Sequence, residues 1–165
     1  MANRRWMANR RWVAQRRWMD SVRPAGPEDL DRCRQLMEQA QRESVAVRGG
    51  DLLAALGTAG TPPAADWWLT SDRALLVGEF DRVVVGVAAG QVVGRLGRVD
   101  CCYVEPDARQ VGVGGGLVQA LLSWFADRGC TDVDALALPG DRATKQVLEA
   151  AGFKARLLVL HRRLP

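Results

Sequence analysis

The sequence predicts an α/β fold: a mixed, mostly antiparallel central sheet flanked by helices. Three observations carry the prediction. Two β-rich apolar runs, "RALLVGEF" (73–80) and "VVVGVAAG" (83–90), are separated only by Asp81 and Arg82, which makes a hairpin. Segments with helical apolar spacing stand before and after these runs, so helices cover the faces of a sheet. A glycine-dense stretch, "RQVGVGGGLVQALL" (109–122), joins a strand directly to a helix.

The elements follow in order. "SVRPA" (21–25) reads as a short strand broken at Pro24. Pro27 then opens a helix, with Glu28 and Asp29 favourable at its positive end. Leu30, Cys33, Leu36 and Met37 recur at helical spacing and give it one apolar face. "GGDLLAALG" (49–57) is a second short helix, followed by a proline-containing loop closed by Trp67 and Trp68. These read as core or loop anchors, with a pocket-lining role as the other option.

After the hairpin, "GRVDCCYVEP" is a third strand, ending at Pro106, which cannot donate to a ladder. A helix is expected over about 113–127, stopping near Gly129, then a strand at "DVDALAL". "DRATKQVLEAAGF" is a helix with Asp141 as N-cap and Gly152 as its stop. "KARLLVLHRRL" is expected as the final strand, whose exposed edge could pair two copies into a homodimer.

A chain of 165 residues with 48% hydrophobic content suffices for one domain burying roughly 70% of its unfolded surface. Its longest apolar runs are far short of the roughly 20 residues a spanning helix needs, so no transmembrane segment is expected. Cys33, Cys101, Cys102 and Cys130 lack metal-ligand spacing. They read as reduced cysteines of a cytoplasmic protein with no metal site. With His161 the sole histidine, a histidine-based triad is excluded.

Charge is unevenly placed. Residues 1–18 repeat "MANRRW", "MANRRW", "VAQRRW" and hold six arginines with no acid; the remainder has 17 basic against 19 acidic residues, a net of −2 where the whole chain has +4. A six-residue repeat fits neither the helical nor the heptad period, so 1–18 reads as a tail outside a domain at 19–165. It is either an arginine and tryptophan patch for nucleic acid or another anionic surface, or a tandem duplication around a misassigned start, with Met19 opening the domain.

The glycines explain themselves chemically. A glycine-rich turn at a helix N-terminus offers unpaired backbone N–H groups and the positive end of the helix dipole, and lets a phosphate approach without a Cβ in the way. A P-loop would need Gly-Lys-Ser/Thr, and no lysine is present. A dinucleotide fingerprint from Gly112 would need glycine at Leu117.

"YVEPDARQVGVGGGLVQALL" resembles the GNAT family of N-acetyltransferases, in which a strand ending Tyr-Val-x-Pro leads to Arg/Gln-x-x-Gly-x-Gly/Ala. "LLVGEFDRVVVGVAAG" looks like that family's second and third strands, and "DRATKQVLEAAGF" like its last helix. The likeness covers about 21–165. It implies an acetyl-CoA-dependent N-acetyltransferase that transfers an acetyl group to an amine of a small molecule or protein by direct attack on the thioester. It further implies that Arg109, Gln110, Val111, Gly112, Val113, Gly114 and Gly115 hold the pyrophosphate of coenzyme A. The backbone of Cys102 and Val104 would hold the pantetheine arm, with the Val104 amide stabilising the developing oxyanion.

Two positions depart from the family pattern. Arg98 stands where many members have a glutamate base, and strand alternation puts Arg98, Asp100, Cys102 and Val104 on one face. Asp100 is therefore either the replacement base or a salt-bridge partner of Arg98. Leu148 stands where a tyrosine often protonates the leaving thiolate, and Tyr103, the sole tyrosine, is expected to face away from Asp100 as a packing residue. These departures keep open a non-catalytic CoA-binding regulatory protein, and the tail keeps open a nucleic-acid or ribosome-associated one. The acceptor region is expected at about 44–70, and in it or just before it Arg42, Glu43, Arg48 and Asp51 are either amine-orienting or solvated.

Overall fold

The structure is a computed structural model that describes residues 22–55, 70–109 and 111–162. The arginine-tryptophan tail, Trp67, Trp68 and Gln110 lie outside the described residues.

The first strand, β1 (Val22–Pro24), leads through a 3-10 turn (Pro27–Asp29) into α1 (Leu30–Val45) and then α2 (Gly50–Ala55). Asp29 fixes that first corner. Its Oδ2 accepts the Gly26 N–H at 2.8 Å, and Arg23 on β1 donates to both carboxylate oxygens, at 2.5 and 3.0 Å. Asp29 is the one buried charged residue among those described. Leu30 at the start of α1, with Cys33, Leu36, Met37 and Ala40, packs onto the sheet, as the spacing predicts.

The hairpin forms from β2 (Arg73–Phe80) and β3 (Val83–Val93). Asp81 and Arg82 both have positive φ, 50° and 65°, the type I′ geometry whose twist matches the flanking strands. Next come β4 (Leu96–Val104), a 3-10 turn (Pro106–Ala108), α3 (Val113–Asp127), β5 (Asp132–Ala135) and α4 (Arg142–Ala150). Asp141 caps α4 by accepting the Thr144 N–H at 3.0 Å, and Gly152, at φ 93°, ends it.

The sheet runs β1-β2-β3-β4-β5, antiparallel except for the parallel β4–β5 pair. The expected mixed, mostly antiparallel architecture is what the chain adopts. One face packs on α3 through Leu76, Ala88, Val104, Leu117, Leu121 and Phe125; the other packs on α1 through Cys33, Leu36, Leu75, Val77, Val87 and Tyr103. Phe125 is fully buried, and truncating such a side chain costs about 3–5 kcal/mol. The α3 layer is therefore the main anchor of the fold.

Two strand expectations need correction. β5 stops at Ala135, so Leu136, Ala137 and Leu138 of "DVDALAL" are outside it. The expected final strand at "KARLLVLHRRL" is absent: residues 153–162 have no regular structure, and Leu157, Leu158, Val159 and Leu160 are 87%, 68%, 56% and 86% exposed. The segment has the right residues for a strand but is paired with no strand, the outer edge of β5 included. β-propensity measures how a side chain fits a packed, pleated surface, and that surface is missing here.

Candidate active site

The site begins where β4 and β5 part. Their pairing runs from Leu96↔Asp132 to Val99↔Ala135 and goes no further, while β4 continues to Val104. On its other side β4 stays with β3, and there the register shifts: Val99 pairs with Gly90 and Cys101 with Ala89. Asp100 is thus the extra residue of a β-bulge, placed at the fork between β4 and β5.

The bulge overturns the expected alternation. Val99, Cys102 and Val104 pack against the α3 face, and Cys101 and Tyr103 against the α1 face. Asp100 bonds to Arg98 and to Gln91, which is Arg98's cross-strand partner. Asp100 therefore shares the α1 side with Tyr103 and is separated from Cys102 and Val104. A period of two holds only while each residue has one partner, and a single inserted residue reverses every side chain beyond it.

Asp100 is tightly held. Arg98 Nε donates to Oδ1 and Gln91 Nε2 to Oδ2, each at 2.9 Å, and the Asp100 side chain is 18% exposed. The salt-bridge expectation is met. The carboxylate nonetheless stays at the fork, fixed in direction by two donors.

Backbone groups line the open edge of β4. The Glu105 N–H donates to the Val85 carbonyl oxygen at 2.9 Å beside the Val104↔Gly86 pair, which makes that pair a non-hydrogen-bonded one. The N–H and C=O of Val104 accordingly point away from β3. Two residues back, Cys102 opposite Ala88 repeats the orientation. Both residues thus present backbone groups to the fork, while the Cys102 side chain turns into the α3 core. Burial pushes the Cys102 thiol up to about 12, and the Cys101 thiol likewise, so neither is a ready nucleophile.

The glycine stretch forms the N-terminus of α3. Gly112 has φ 93°, a left-handed conformation that favours glycine, and turns the chain into the helix. The first intrahelical bond is Gly116 N–H to Gly112 O at 3.0 Å, so the N–H groups of Val113, Gly114 and Gly115 have no acceptor within the helix. A Cβ on Gly115 would meet nothing within 4 Å, and one on Gly114 would make only ordinary contact, 3.6 Å from Val104 Cγ2. Protein packing does not require glycine at either position. Both positions are open on the side a Cβ would take, and the 3.6 Å approach sets the N-terminus of α3 beside the end of β4. Gly112, Val113, Gly114 and Gly115 fit a pyrophosphate, and the Cys102 and Val104 backbone fits an amide-bearing arm laid along the open edge.

Arg109 is turned differently from expectation. Its Nε donates to the Val104 carbonyl oxygen at 2.9 Å, its Nη2 to Glu43 Oε2 at 2.8 Å, and its guanidinium lies 5.5 Å from the Tyr103 ring centre. Tyr103 is more than a packing residue: its hydroxyl donates to Glu43 Oε1 at 2.5 Å. Burial alone would raise the Glu43 pKa, but the bonds from Tyr103 and Arg109 outweigh it and hold the carboxyl below its usual range. Burial, then the bond to Glu43, raises the Tyr103 phenol. Glu43 was readable only as one of several polar residues near the acceptor region. Its spacing from Cys33, Leu36 and Ala40 places it on the apolar face of α1, and a charge there is the signal that it has partners. Arg42, Arg48 and Asp51 are exposed, and Leu148 is buried.

A sequence model of the acetyltransferase (GNAT) family matches residues 30–153. The chain belongs to that family, whose acyl donor is acetyl-CoA. Among curated proteins none matches. Several solved structures share the fold. The aminoglycoside N-acetyltransferase AAC(6')-Iy, in complex with a bisubstrate analogue joining CoA to acetylneamine, is 21% identical over 87% of this chain and 97% of its own, with a TM-score of 0.61. A mutant of the BH1408 protein from Bacillus halodurans is 13% identical over 87% and 99%, with a TM-score of 0.71. An aminoglycoside acetyltransferase from an uncultured soil metagenomic sample, in complex with sisomicin, is 15% identical over 87% and 94%, with a TM-score of 0.60. No described helix is long and apolar enough to cross a membrane, and no described group of residues could hold a metal ion.

Proposed function

We propose that the protein is an acetyl-CoA-dependent N-acetyltransferase acting on an amine of a small molecule, with aminoglycoside-like polyamines as the acceptor class to test first. The observation that carries this reading is the fork: β4 leaves β5 at Asp100, and its open edge leads by way of Val104 to the N–H groups of Val113, Gly114 and Gly115. The aminoglycoside enzymes of the same fold supply the acceptor class.

Bound acetyl-CoA supplies an activated acyl thioester. The chain's own task is to hold and orient, which for an activated acyl group accounts for most of the acceleration. The amides of Val113, Gly114 and Gly115 hold the pyrophosphate against the helix N-terminus. The Val104 N–H donates to the acyl oxygen, where negative charge grows. Asp100, oriented by Arg98 and Gln91, accepts the proton of the amine, since an alkylamine with a pKa near about 10.4 is mostly protonated at neutral pH. Leu148 offers no proton, so protonation of the thiol falls to solvent. A CoA-binding regulator is the second reading, favoured by that buried leucine and by the two donors already on Asp100.

The proposal includes a homodimer, formed where the exposed run Leu157–Leu160 of one copy meets the β5 edge of another, and a cytoplasmic setting in which the four free cysteines stay reduced.

The deciding experiment is thermal unfolding of the full chain with acetyl-CoA at 100 times its dissociation constant, followed by thiol release with sisomicin as acceptor. Linkage predicts about 2.7 kcal/mol of stabilisation, or roughly 5–10 °C. A shift with thiol release supports the enzyme; a shift without release over a panel of amines supports the regulator. No shift with folded protein overturns both.

A further inference from the structure

We propose that Glu43 is a positioning residue for acyl transfer, holding Tyr103 and Val104 at the end of β4 so that the Val104 N–H is directed into the fork between β4 and β5. The inference rests on the acetyltransferase reading and adds a residue from a different element, the last turn of α1.

Both residues are tied to one carboxylate. Tyr103 is tied directly, hydroxyl to Glu43 Oε1 at 2.5 Å. Val104 is tied through Arg109, which takes Glu43 Oε2 with Nη2 and the Val104 carbonyl oxygen with Nε. Arg109 is held through two nitrogens of its planar guanidinium and lies over the Tyr103 ring, so it has little freedom to swing. Gln39 Nε2 adds a third donor to Glu43 at 3.3 Å.

The need for such a brace is local. Below Asp100, β4 is held by strands on both sides; at Cys102 and Val104 only β3 remains, and their N–H and C=O point away from it. A strand end with one neighbour can twist about its ladder, and the Val104 N–H would wander with it. Glu43 supplies from α1 the restraint that β5 would otherwise give. An ordinary surface ion pair contributes little to stability and does not converge with a buried tyrosine from the strand it faces. The convergence, more than the ion pair, is what points to positioning.

The test uses the full chain, labelled with 15N-valine, and its Glu43→Gln variant, with acetyl-CoA as the probe. In the wild type the Val104 amide resonance is expected to shift on addition of acetyl-CoA. Glu43→Gln is expected to bind acetyl-CoA within about threefold of wild type, to lose most of the Val104 shift, and to turn over at least about tenfold more slowly with KM for acetyl-CoA unchanged. A Glu43→Gln protein with the wild-type Val104 shift overturns the inference. So does one whose acetyl-CoA affinity falls in step with its thermal stability, because Glu43 would then be a folding brace. Failure of the wild type to bind acetyl-CoA is a separate outcome: it overturns the acetyltransferase reading and this inference with it.

Discussion

Arg98 donates from Nε to Asp100 Oδ1 at 2.9 Å across the bulge of β4, while Gln91 holds the other oxygen from β3. The pair fixes the direction of a carboxylate carried at the position where the two parallel strands separate. If that carboxylate takes the amine proton, Asp100→Asn keeps the shape and most of the hydrogen bonding but loses the base. Turnover is expected to fall by about 10²–10⁴ with acetyl-CoA affinity unchanged. Steady-state kinetics beside calorimetric titration check this, and a variant with wild-type kcat would leave Asp100 a structural partner of Arg98.

The glycine cradle separates packing from ligand contact. Gly115 sits in the first turn of α3 with open space around its missing Cβ. Gly115→Ala is expected to stabilise the protein by about 0.5–1 kcal/mol, since alanine loses less backbone freedom. Acetyl-CoA affinity should fall by more than about tenfold, because the methyl occupies the approach to the amides. Gly112→Ala should do the opposite to stability, costing about 1–2 kcal/mol at a left-handed position. Melting curves with and without ligand distinguish the two, and unchanged affinity in Gly115→Ala would remove the pyrophosphate assignment.

Much of this was legible in the sequence because it is local. Alternation and a two-residue turn mark the hairpin, Asp141 marks the start of α4, and glycines at 112, 114 and 115 mark the turn into α3. What was not legible depends on partners distant in the chain. The bulge at Asp100 exists only as a register shift against Ala89 and Gly90, so reading β4 alone put Asp100 on one face with Cys102 and Val104. Tyr103 looked like packing because Glu43, 60 positions away, was not yet beside it. The failed strand at the C-terminus is the same lesson in reverse: suitable residues, paired with no strand of their own chain.

Asp29 gives the fold a pH dependence. Its pKa is lowered, chiefly by the hydrogen bond from Arg23, against an opposing effect of burial and with help from the Gly26 N–H. A carboxyl depressed on folding stabilises the native state fully above its unfolded pKa of about 3.9, and that contribution is lost as pH falls through the lower, folded value. Asp29→Asn is expected to cost about 1–3 kcal/mol at pH 7. Thermal melts of both proteins should converge as the pH is lowered below 4. A gap of constant size would assign the effect to hydrogen-bond geometry, with no part for charge.

The C-terminal segment carries the last prediction. Four consecutive apolar residues, Leu157 to Leu160, stand in water, and β5 ends the sheet with pairing on one side only. An unpaired edge and an unpaired strand-forming segment in one chain are complementary between copies, and burying the four side chains at about 1.5–3 kcal/mol each would offset the cost of association. Sedimentation of the full chain should give a dimer at micromolar concentration. Leu157→Asp with Leu160→Asp should give a folded monomer that still binds acetyl-CoA, because neither residue lies near α3's N-terminus in sequence or is packed in the core. A wild-type protein that sediments as a monomer at high concentration would sink the pairing; a variant that stays dimeric would move the interface elsewhere on the surface.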